Sequence, residues 1–206
     1  MKEYTTDQEK FWESDFGDEY IARNKSDELH ASNLNFFSNI LKSMDSYPTS
    51  ALELGANVGM NVKAILTLSP QTAVTAVEIN AKAIFELKNL NCEAVQASIL
   101  EYAPKQKFDL VFTKGVLIHI NPNELHKVYN LMYSSSNKYI LVAEYYNPSP
   151  VSVTYRGIKD RLFKRDFAGE LLEMFPDLKL VDYEFCYHNG VFPQDDITWF
   201  LLEKSG

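Results

Sequence analysis

The stretch Ala51–Asn61, "ALELGANVGMN", decides the fold, because it joins an apolar run to a helical pattern through a short turn. The run "ALEL" has the length of a buried strand, and apolar side chains recur at helical spacing from Met60 onward. Gly55 and Gly59 lie in the turn between them. A turn of this kind can hold a nucleotide, or it can simply end the strand.

The same alternation of strand-like and helix-length segments continues along the chain. Four further runs, "AVTAVEI", "CEAVQAS", "FDLVFTKG" and "KYILVAEY", follow one another with helical patterns between most of them. This order predicts right-handed βαβ units and an α/β fold whose parallel sheet is covered by helices on both faces. Near the C-terminus, "LKLVDYEFCYH" and "ITWFLLEK" are separated only by a turn-rich loop, so we expect them to pair antiparallel.

The composition and net charge of the chain argue against several classes of protein. The 206 residues carry a formal net charge of −8, which argues against general binding to nucleic acid or to an anionic membrane. The N-terminus lacks the apolar core of a signal peptide, and no window approaches the roughly 20 apolar residues of a membrane helix. We therefore expect a cytoplasmic protein. Cys92 and Cys186 lie far apart without metal-ligand spacing, so no metal site is predicted.

Two acids indicate the kind of ligand. Glu53, just before Gly55, would oppose the phosphates of a dinucleotide but suits a ligand with an ammonium and a sulfonium, such as S-adenosylmethionine. The turn also lacks the G-x-G-x-x-G fingerprint of dinucleotide-binding proteins. Glu78 ends the next strand, where a carboxylate can accept hydrogen bonds from ribose hydroxyls. Alternatively, the glycines merely punctuate a turn, but two acids at successive strand ends favour a nucleotide-type site.

These residues, together with "FDLVFTKGVLIHI", resemble class I S-adenosylmethionine-dependent methyltransferases over most of the chain. The resemblance implies a Rossmann-like, seven-stranded, mostly parallel sheet with an antiparallel last strand and an N-terminal helical lid. It implies one domain, with the lid at 1–48, the cofactor-binding core at 49–146, and a substrate-side insertion with the terminal antiparallel strand pair at 147–206. S-adenosylmethionine is the implied cofactor and S-adenosylhomocysteine its product.

The resemblance also assigns cofactor contacts by position. The turn would hold the methionine part, Glu78 the ribose, and Ser98 with Ile99 the adenine. Two positions depart from the family pattern, since Asn57 replaces a glycine and Ser98 stands where an aspartate is common. Asn57 can still take a positive φ, because asparagine tolerates the left-handed region better than most residues. The predicted cofactor set is Glu53, Gly55, Asn57, Gly59, Glu78, Ile79, Ser98, Ile99, Thr113 and Lys114.

Three segments outside the cofactor motifs resemble the methylases associated with pseudaminic acid biosynthesis. They are "FWESDFGDEYIARN" at Phe11–Asn24, "YYNPSPVSVTYRGIKDRLFKRDFAGE" at Tyr145–Glu170, and "FPQDDITWFLLEK" near the end. This implies an enzyme that methylates a nonulosonic acid, its nucleotide-linked form or an acyl substituent in a bacterial flagellin-glycan or surface-glycan pathway. The partner would be a small acidic sugar, and the enzyme a monomer or weak homodimer. Methylation of another small molecule or of nucleic acid, nicotinamide oxidoreduction, and non-catalytic binding remain alternatives.

Substrate-binding residues are predicted in two regions, near the N-terminus and between residues 155 and 165. Five cations and one acid lie between Arg156 and Arg165, and this cluster can receive a carboxylate or phosphate. A solvated basic face, or pairing with Asp166 and Glu170, is the alternative. N-terminal aromatic residues can form a lid over the site or simply a docked amphipathic helix. The predicted substrate set is Trp12, Tyr20, Arg23, Tyr155, Arg156, Lys164 and Arg165.

A catalytic base is needed only if the acceptor is a hydroxyl or a protonated amine. His119, in "GVLIHI", is the first candidate, because an imidazole can take a proton near neutral pH. A packed, hydrogen-bonded histidine is the alternative reading. Glu144 and Tyr145, at the end of the fifth predicted strand, are the competing candidates.

Overall fold

The computed structural model describes residues 4–14, 16–17, 26–155 and 157–205, with the backbone alone for residues 158–160. Contacts divide the chain into two compact units, residues 1–103 and 104–206. Each unit carries part of the sheet.

The first unit begins with two helices, α1 (Asp7–Glu13) and α2 (Asp27–Lys42). The pattern "TDQE" from Thr6 predicts a capping box at the start of a helix. Helix α1 starts at this box, in which the Thr6 and Glu9 side chains each accept a hydrogen bond from the other residue's backbone N–H. Three strands follow with helices between them: β1 (Ser50–Leu54), α3 (Met60–Leu68), β2 (Ala73–Glu78), α4 (Ala81–Leu87) and β3 (Glu93–Gln96). Strand β2 pairs in parallel with both β1 and β3.

The second unit contains β4 (Phe108–Lys114), two short 3₁₀ turns (Leu117–His119 and Pro122–Glu124), α5 (Leu125–Ser135) and β5 (Ser136–Glu144). After these come β6 (Val151–Tyr155), β7 (Ile158–Lys164), α6 (Phe167–Met174), β8 (Leu178–Cys186) and β9 (Ile197–Lys204). Strand β4 is parallel to β5, whereas β9 is antiparallel to both β5 and β8.

The strand order is β3-β2-β1-β4-β5-β9-β8, which confirms the seven-stranded, mostly parallel sheet with an antiparallel last strand. The central strands are buried along nearly their whole length, because helices pack on the sheet. Both predicted acids lie at the carboxyl ends of parallel strands, Glu53 next to last in β1 and Glu78 last in β2. The sheet therefore brings these two carboxylates to one edge of the first unit.

One segment differs from the sequence reading. The sequence after Tyr146 lacks the alternation of the core and predicts a long connection, but β6 and β7 pair antiparallel as a separate two-stranded sheet. The β-branched run "VSVTY" favours a strand, and Gly157, with φ of +82°, permits the tight turn. The predicted substrate-side insertion thus contains a hairpin.

Candidate functional site

The glycine turn after β1 has a left-handed backbone at three positions. The φ angles are +79° at Gly55, +48° at Asn57 and +81° at Gly59. Glycine adopts this region freely and asparagine tolerates it better than most residues, so the structure confirms the positive φ expected at Asn57.

The turn satisfies its own N–H groups. Gly55 and Ala56 donate to the carbonyl oxygen of Val77, at 2.9 and 3.0 Å, and Gly59 donates to Ala56 at 2.9 Å. Asn57 donates to a carboxylate oxygen of Glu78 at 2.8 Å. The glycines of this turn predict backbone N–H groups aimed at a ligand. These four N–H groups instead donate inside the chain, three of them to β2 and one within the turn.

Gly59 has a packing role that the sequence did not reveal. A Cβ at this position would lie 2.6 Å from both Leu87 Cδ2 and Leu90 Cδ1. These leucines belong to α4 and the segment after it, so only a glycine lets the start of α3 approach them.

Glu53 is buried, with 1% of its surface exposed, and its carboxylate is hydrogen-bonded to a chain of two side-chain amides. Its Oε1 accepts a hydrogen bond from Asn61 Nδ2 at 2.7 Å, and Asn61 Oδ1 accepts one from Asn33 Nδ2 at 3.0 Å. Asn61 lies in α3 and Asn33 in α2, so the two helices hold the carboxylate in place. Sequence reasoning missed both asparagines, although Asn33 shares the apolar face of α2 with Phe36 and Phe37.

Glu78 links the glycine turn to the start of α4. Its Oε2 accepts from Asn57 N and its Oε1 accepts from Asn80 N, each at 2.8 Å. Asn80 in turn caps α4 by accepting from Lys82 and Ala83. Burial raises the pKa of the Glu78 carboxyl, although these backbone hydrogen bonds oppose the shift. A carboxylate offers about four lone-pair sites, so Glu78 keeps some capacity to accept a hydrogen bond from a ligand.

Ser98 lies two residues beyond β3 and is buried, whereas Ile79 and Ile99 are half-buried. Its hydroxyl donates to Oε1 of Glu9, from helix α1, and accepts from Leu100 N at 3.1 Å. Sequence reasoning treated Glu9 only as part of a capping box. Thr113 and Lys114, also predicted for the cofactor, end β4 in the second unit.

Glu144, in the second unit, binds the backbone of the first 3₁₀ turn. Its Oε1 accepts from Val116 and Leu117 N–H groups at 3.0 Å each, and its Oε2 from Ile118 at 3.4 Å. Burial raises the pKa of this carboxyl to about 7, against the effect of these hydrogen bonds. This arrangement holds the turn in place, and a role for Glu144 as a base stays a prediction.

His119 ends the same turn and is 9% exposed. Its Nδ1 lies 2.7 Å from the carbonyl oxygen of Arg161, and its ring centroid lies 5.3 Å from that of Tyr155. Because a carbonyl only accepts, Nδ1 carries the proton in the neutral ring. Burial lowers the pKa of His119 to about 4. The packed, hydrogen-bonded histidine is thus present, and it is neutral at pH 7.

Two cations of the cluster between Arg156 and Arg165 have protein partners. Arg165 pairs with Glu170, through Nε at 2.7 Å and an Nη at 2.6 Å, and Glu170 also accepts from the Tyr129 hydroxyl at 2.7 Å. This is the internal pairing given above as the alternative. Lys164 Nζ lies 5.1 Å from the ring centroid of Tyr145.

The N-terminal aromatic residues form a cluster in the first unit. Trp12 contacts Phe11 and Phe16, with centroids 5.6 and 5.5 Å away, and its carbonyl oxygen accepts from Asn80 Nδ2 at 3.4 Å. Helix α1 therefore docks beside Glu78. Of the predicted substrate residues, Tyr20, Arg23 and Arg156 lie outside the described part of the chain.

The described ranges contain neither a membrane-spanning helix nor a metal-binding group of side chains. No helix there is long and apolar enough to cross a membrane. Within the same ranges, no group of three or more His, Cys, Asp or Glu side chains is arranged to hold a metal ion.

Comparison with known proteins identifies the fold. Residues 51–138 match the family described as a methyltransferase domain. No curated protein sequence matches the chain.

Solved structures share the fold at low sequence identity. Magnesium protoporphyrin IX methyltransferase (ChlM) from Synechocystis PCC 6803, with bound S-adenosylhomocysteine, aligns with a TM-score of 0.72 and 11% identity, over 97% of this chain and 100% of that one. The plantazolicin methyltransferase BpumL, also with S-adenosylhomocysteine, aligns at 0.69 and 14%, over 97% and 94%. The glycopeptide N-methyltransferase MtfA aligns at 0.66 and 13%, over 84% and 89%. The chain has the fold of class I methyltransferases, and the domain match supports an S-adenosylmethionine-dependent enzyme.

Proposed function

We propose that the chain uses S-adenosylmethionine to methylate a nonulosonic acid of the pseudaminic type, its nucleotide-linked form or one of its acyl substituents. One observation carries the cofactor part of this proposal. Four N–H groups of the glycine turn donate inside the chain, and buried carboxylates stand at the ends of β1 and β2. The edge thus presents acceptors, which suit an ammonium and ribose hydroxyls rather than a phosphate.

The residues of the first unit would hold the cofactor in three places. Glu53, oriented by Asn61, supplies negative charge for the methionine ammonium. Glu78 accepts the ribose hydroxyls while Asn57 and Asn80 fix its orientation. Ile79 and Ile99 are half-buried and offer apolar surface to the adenine.

When bound, S-adenosylmethionine supplies a methyl group on a good leaving group. The chain's task is then to align the acceptor with that methyl, an effect worth up to roughly 7–11 kcal/mol in well-oriented systems. His119 is suited to this task, because its neutral ring presents Nε2 as an acceptor and its Nδ1–H is fixed by Arg161. A hydroxyl acceptor would donate to Nε2.

The acidic sugar is supported by the resemblance of three segments and by the chemistry of one of them. The β6–β7 hairpin ends in Lys164, whose ammonium lies over the aromatic ring of Tyr145, and Arg165 follows it. An ammonium can bind a carboxylate, and a tyrosine face can pack on a sugar ring. Arg165 is paired with Glu170, which fixes its orientation.

Two measurements test the two parts of the proposal separately. Calorimetry with S-adenosylhomocysteine tests the cofactor, and mass spectrometry tests the acceptor, using S-adenosylmethionine with free, acylated and nucleotide-linked nonulosonic acids. We expect S-adenosylhomocysteine to bind and one acceptor to gain a single methylene unit of mass. Binding without any product from the panel would reject the sugar and keep the cofactor. Absence of binding would reject both.

A further inference from the structure

The carboxylate of Glu9 reaches beyond its own helix. In the capping box, Oε2 accepts from the backbone N–H of Thr6 at 2.8 Å and from its hydroxyl at 3.0 Å. The other oxygen, Oε1, is not needed for the cap, and it accepts from the Ser98 hydroxyl instead. Glu9 is only 7% exposed, so a charged group has been buried where a helix cap alone would leave it at the surface.

Ser98 has already used its only donor. Its hydroxyl has one hydrogen, which goes to Glu9, and its oxygen accepts from Leu100 N. Its backbone oxygen accepts from Glu101 and Tyr102 N–H groups at 3.1 and 2.9 Å. Ser98 is therefore a fixed support for the Glu9 carboxylate, and the stronger acceptor at the end of β3 is the glutamate.

Helix α1 also reaches the end of β2. Asn80 Nδ2 donates to the carbonyl oxygen of Trp12, and Asn80 N donates to Glu78. A Cβ on Gly17 would overlap the Trp12 carbonyl oxygen and lie 3.0 Å from Asn80 Nδ2, so the chain passes closely over this point. The helix thus runs between the strand end proposed for the ribose and the strand end proposed for the adenine.

We propose that Glu9, held by Ser98, accepts a hydrogen bond from the 6-amino group of the cofactor's adenine. This inference rests on the proposed function. Adenine presents that amine as a donor and needs an acceptor opposite it. A carboxylate oxygen that already accepts one hydrogen bond has a second lone pair for this purpose. Helix α1 would then contribute a hydrogen bond that recognises the adenine, in addition to lying over it.

The test compares S-adenosylhomocysteine with its purine analogue, which lacks the 6-amino group, by calorimetry. The wild-type chain should bind the analogue about tenfold more weakly, because a charge-assisted hydrogen bond is lost. Glu9→Ala should bind both ligands with nearly equal affinity. Glu9→Gln is almost isosteric, so it serves as the test variant if Glu9→Ala does not fold. Its preference for S-adenosylhomocysteine over the purine analogue should fall at least about threefold, because the acceptor becomes neutral.

Thr6→Ala is the matched control, because it removes a hydrogen bond to Oε2 and leaves Oε1 in place. It should lower stability, and affinity for both ligands equally, while the tenfold preference remains. If Glu9→Gln keeps the full preference, Glu9 is only a structural latch and the inference is wrong. If the wild-type chain binds neither ligand, the proposed function itself fails.

Discussion

Glu78 and Asn57 are joined by a hydrogen bond of 2.8 Å between the Asn57 N–H and the Glu78 Oε2. The bond connects the last residue of β2 to the left-handed residue at the centre of the glycine turn. The carboxylate proposed to bind the ribose therefore also shapes the turn proposed to bind the methionine part. The two halves of the cofactor site depend on one side chain.

Glu78→Ala should weaken S-adenosylhomocysteine binding by roughly 10- to 100-fold, since it removes charged hydrogen bonds of about 1.5–3 kcal/mol. It should also lower the free energy of unfolding, because the Asn57 and Asn80 N–H groups lose their acceptor. Calorimetry and urea unfolding measure the two effects. Glu101→Ala, which removes an exposed carboxylate of the same unit, is the control and should change neither. A folded Glu78→Ala with unchanged affinity would remove Glu78 from the site.

Gly59→Ala should destabilise the chain by about 1–3 kcal/mol, because the new methyl overlaps Leu87 and Leu90 and φ is positive. Asn57→Gly should stay within about 0.5 kcal/mol of wild type, since glycine adopts the same φ without strain. Urea unfolding of both variants checks the contrast. Equal stability of the two would mean that the helices adjust freely around position 59.

Local patterns were enough to predict the core of the fold and the strand-end acids. The alternation of strands and helices, the capping box and the residue types in the turn are all readable over a few positions. Glu53 and Glu78 could be placed because each stands at the end of an apolar run. The structure accordingly confirms the sheet and the positive φ at Asn57.

Partner choice between distant side chains could not be predicted. Glu9 and Ser98 are 89 residues apart, and nothing local indicates that a capping glutamate would reach the third strand. The cations between Arg156 and Arg165 permitted either a solvated face or internal pairing, and only the folded backbone shows that Arg165 meets Glu170 of α6. The N–H groups of the turn were misjudged for the same reason, because three of the four have their acceptors on β2.

His119 should make stability depend on pH below neutrality. Its folded pKa, about 4, lies below the unfolded value of 6.5, so the neutral form is the one that folding favours. Stability is then present above pH 6.5 and is lost as pH falls toward 4, by about 3 kcal/mol in all. His119→Asn keeps a donor for the Arg161 carbonyl and should remove most of this loss. Urea unfolding at a series of pH values measures it.

Glu144 contributes in the opposite direction, because its folded pKa, about 7, lies above the usual 4.5 and its stabilisation is lost as pH rises through that range. The difference between the pH profiles of stability of wild type and His119→Asn isolates the contribution of the histidine. His126→Asn, at an exposed position, is the control and should leave the profile unchanged. Identical profiles for wild type and His119→Asn would contradict the buried, neutral histidine.

Lys164 and Arg165 should respond differently to truncation. Arg165→Ala should lower the free energy of unfolding by about 1–3 kcal/mol, because Glu170, only 27% exposed, loses its charged partner. Lys164→Ala loses a contact with the Tyr145 ring and should cost less than about 1 kcal/mol. For an acidic acceptor, Lys164→Ala should raise the acceptor's KM several-fold while the affinity for S-adenosylhomocysteine stays constant.

The two variants together decide which cation meets the acceptor. Steady-state kinetics with the acceptor found by mass spectrometry, alongside urea unfolding, separates binding from folding. Glu170→Gln serves as the matched control for Arg165, since it weakens the ion pair and keeps both side chains. If Arg165→Ala raises the acceptor's KM without any loss of stability, while Lys164→Ala leaves KM unchanged, then Arg165 binds the substrate directly and its pairing with Glu170 is incidental.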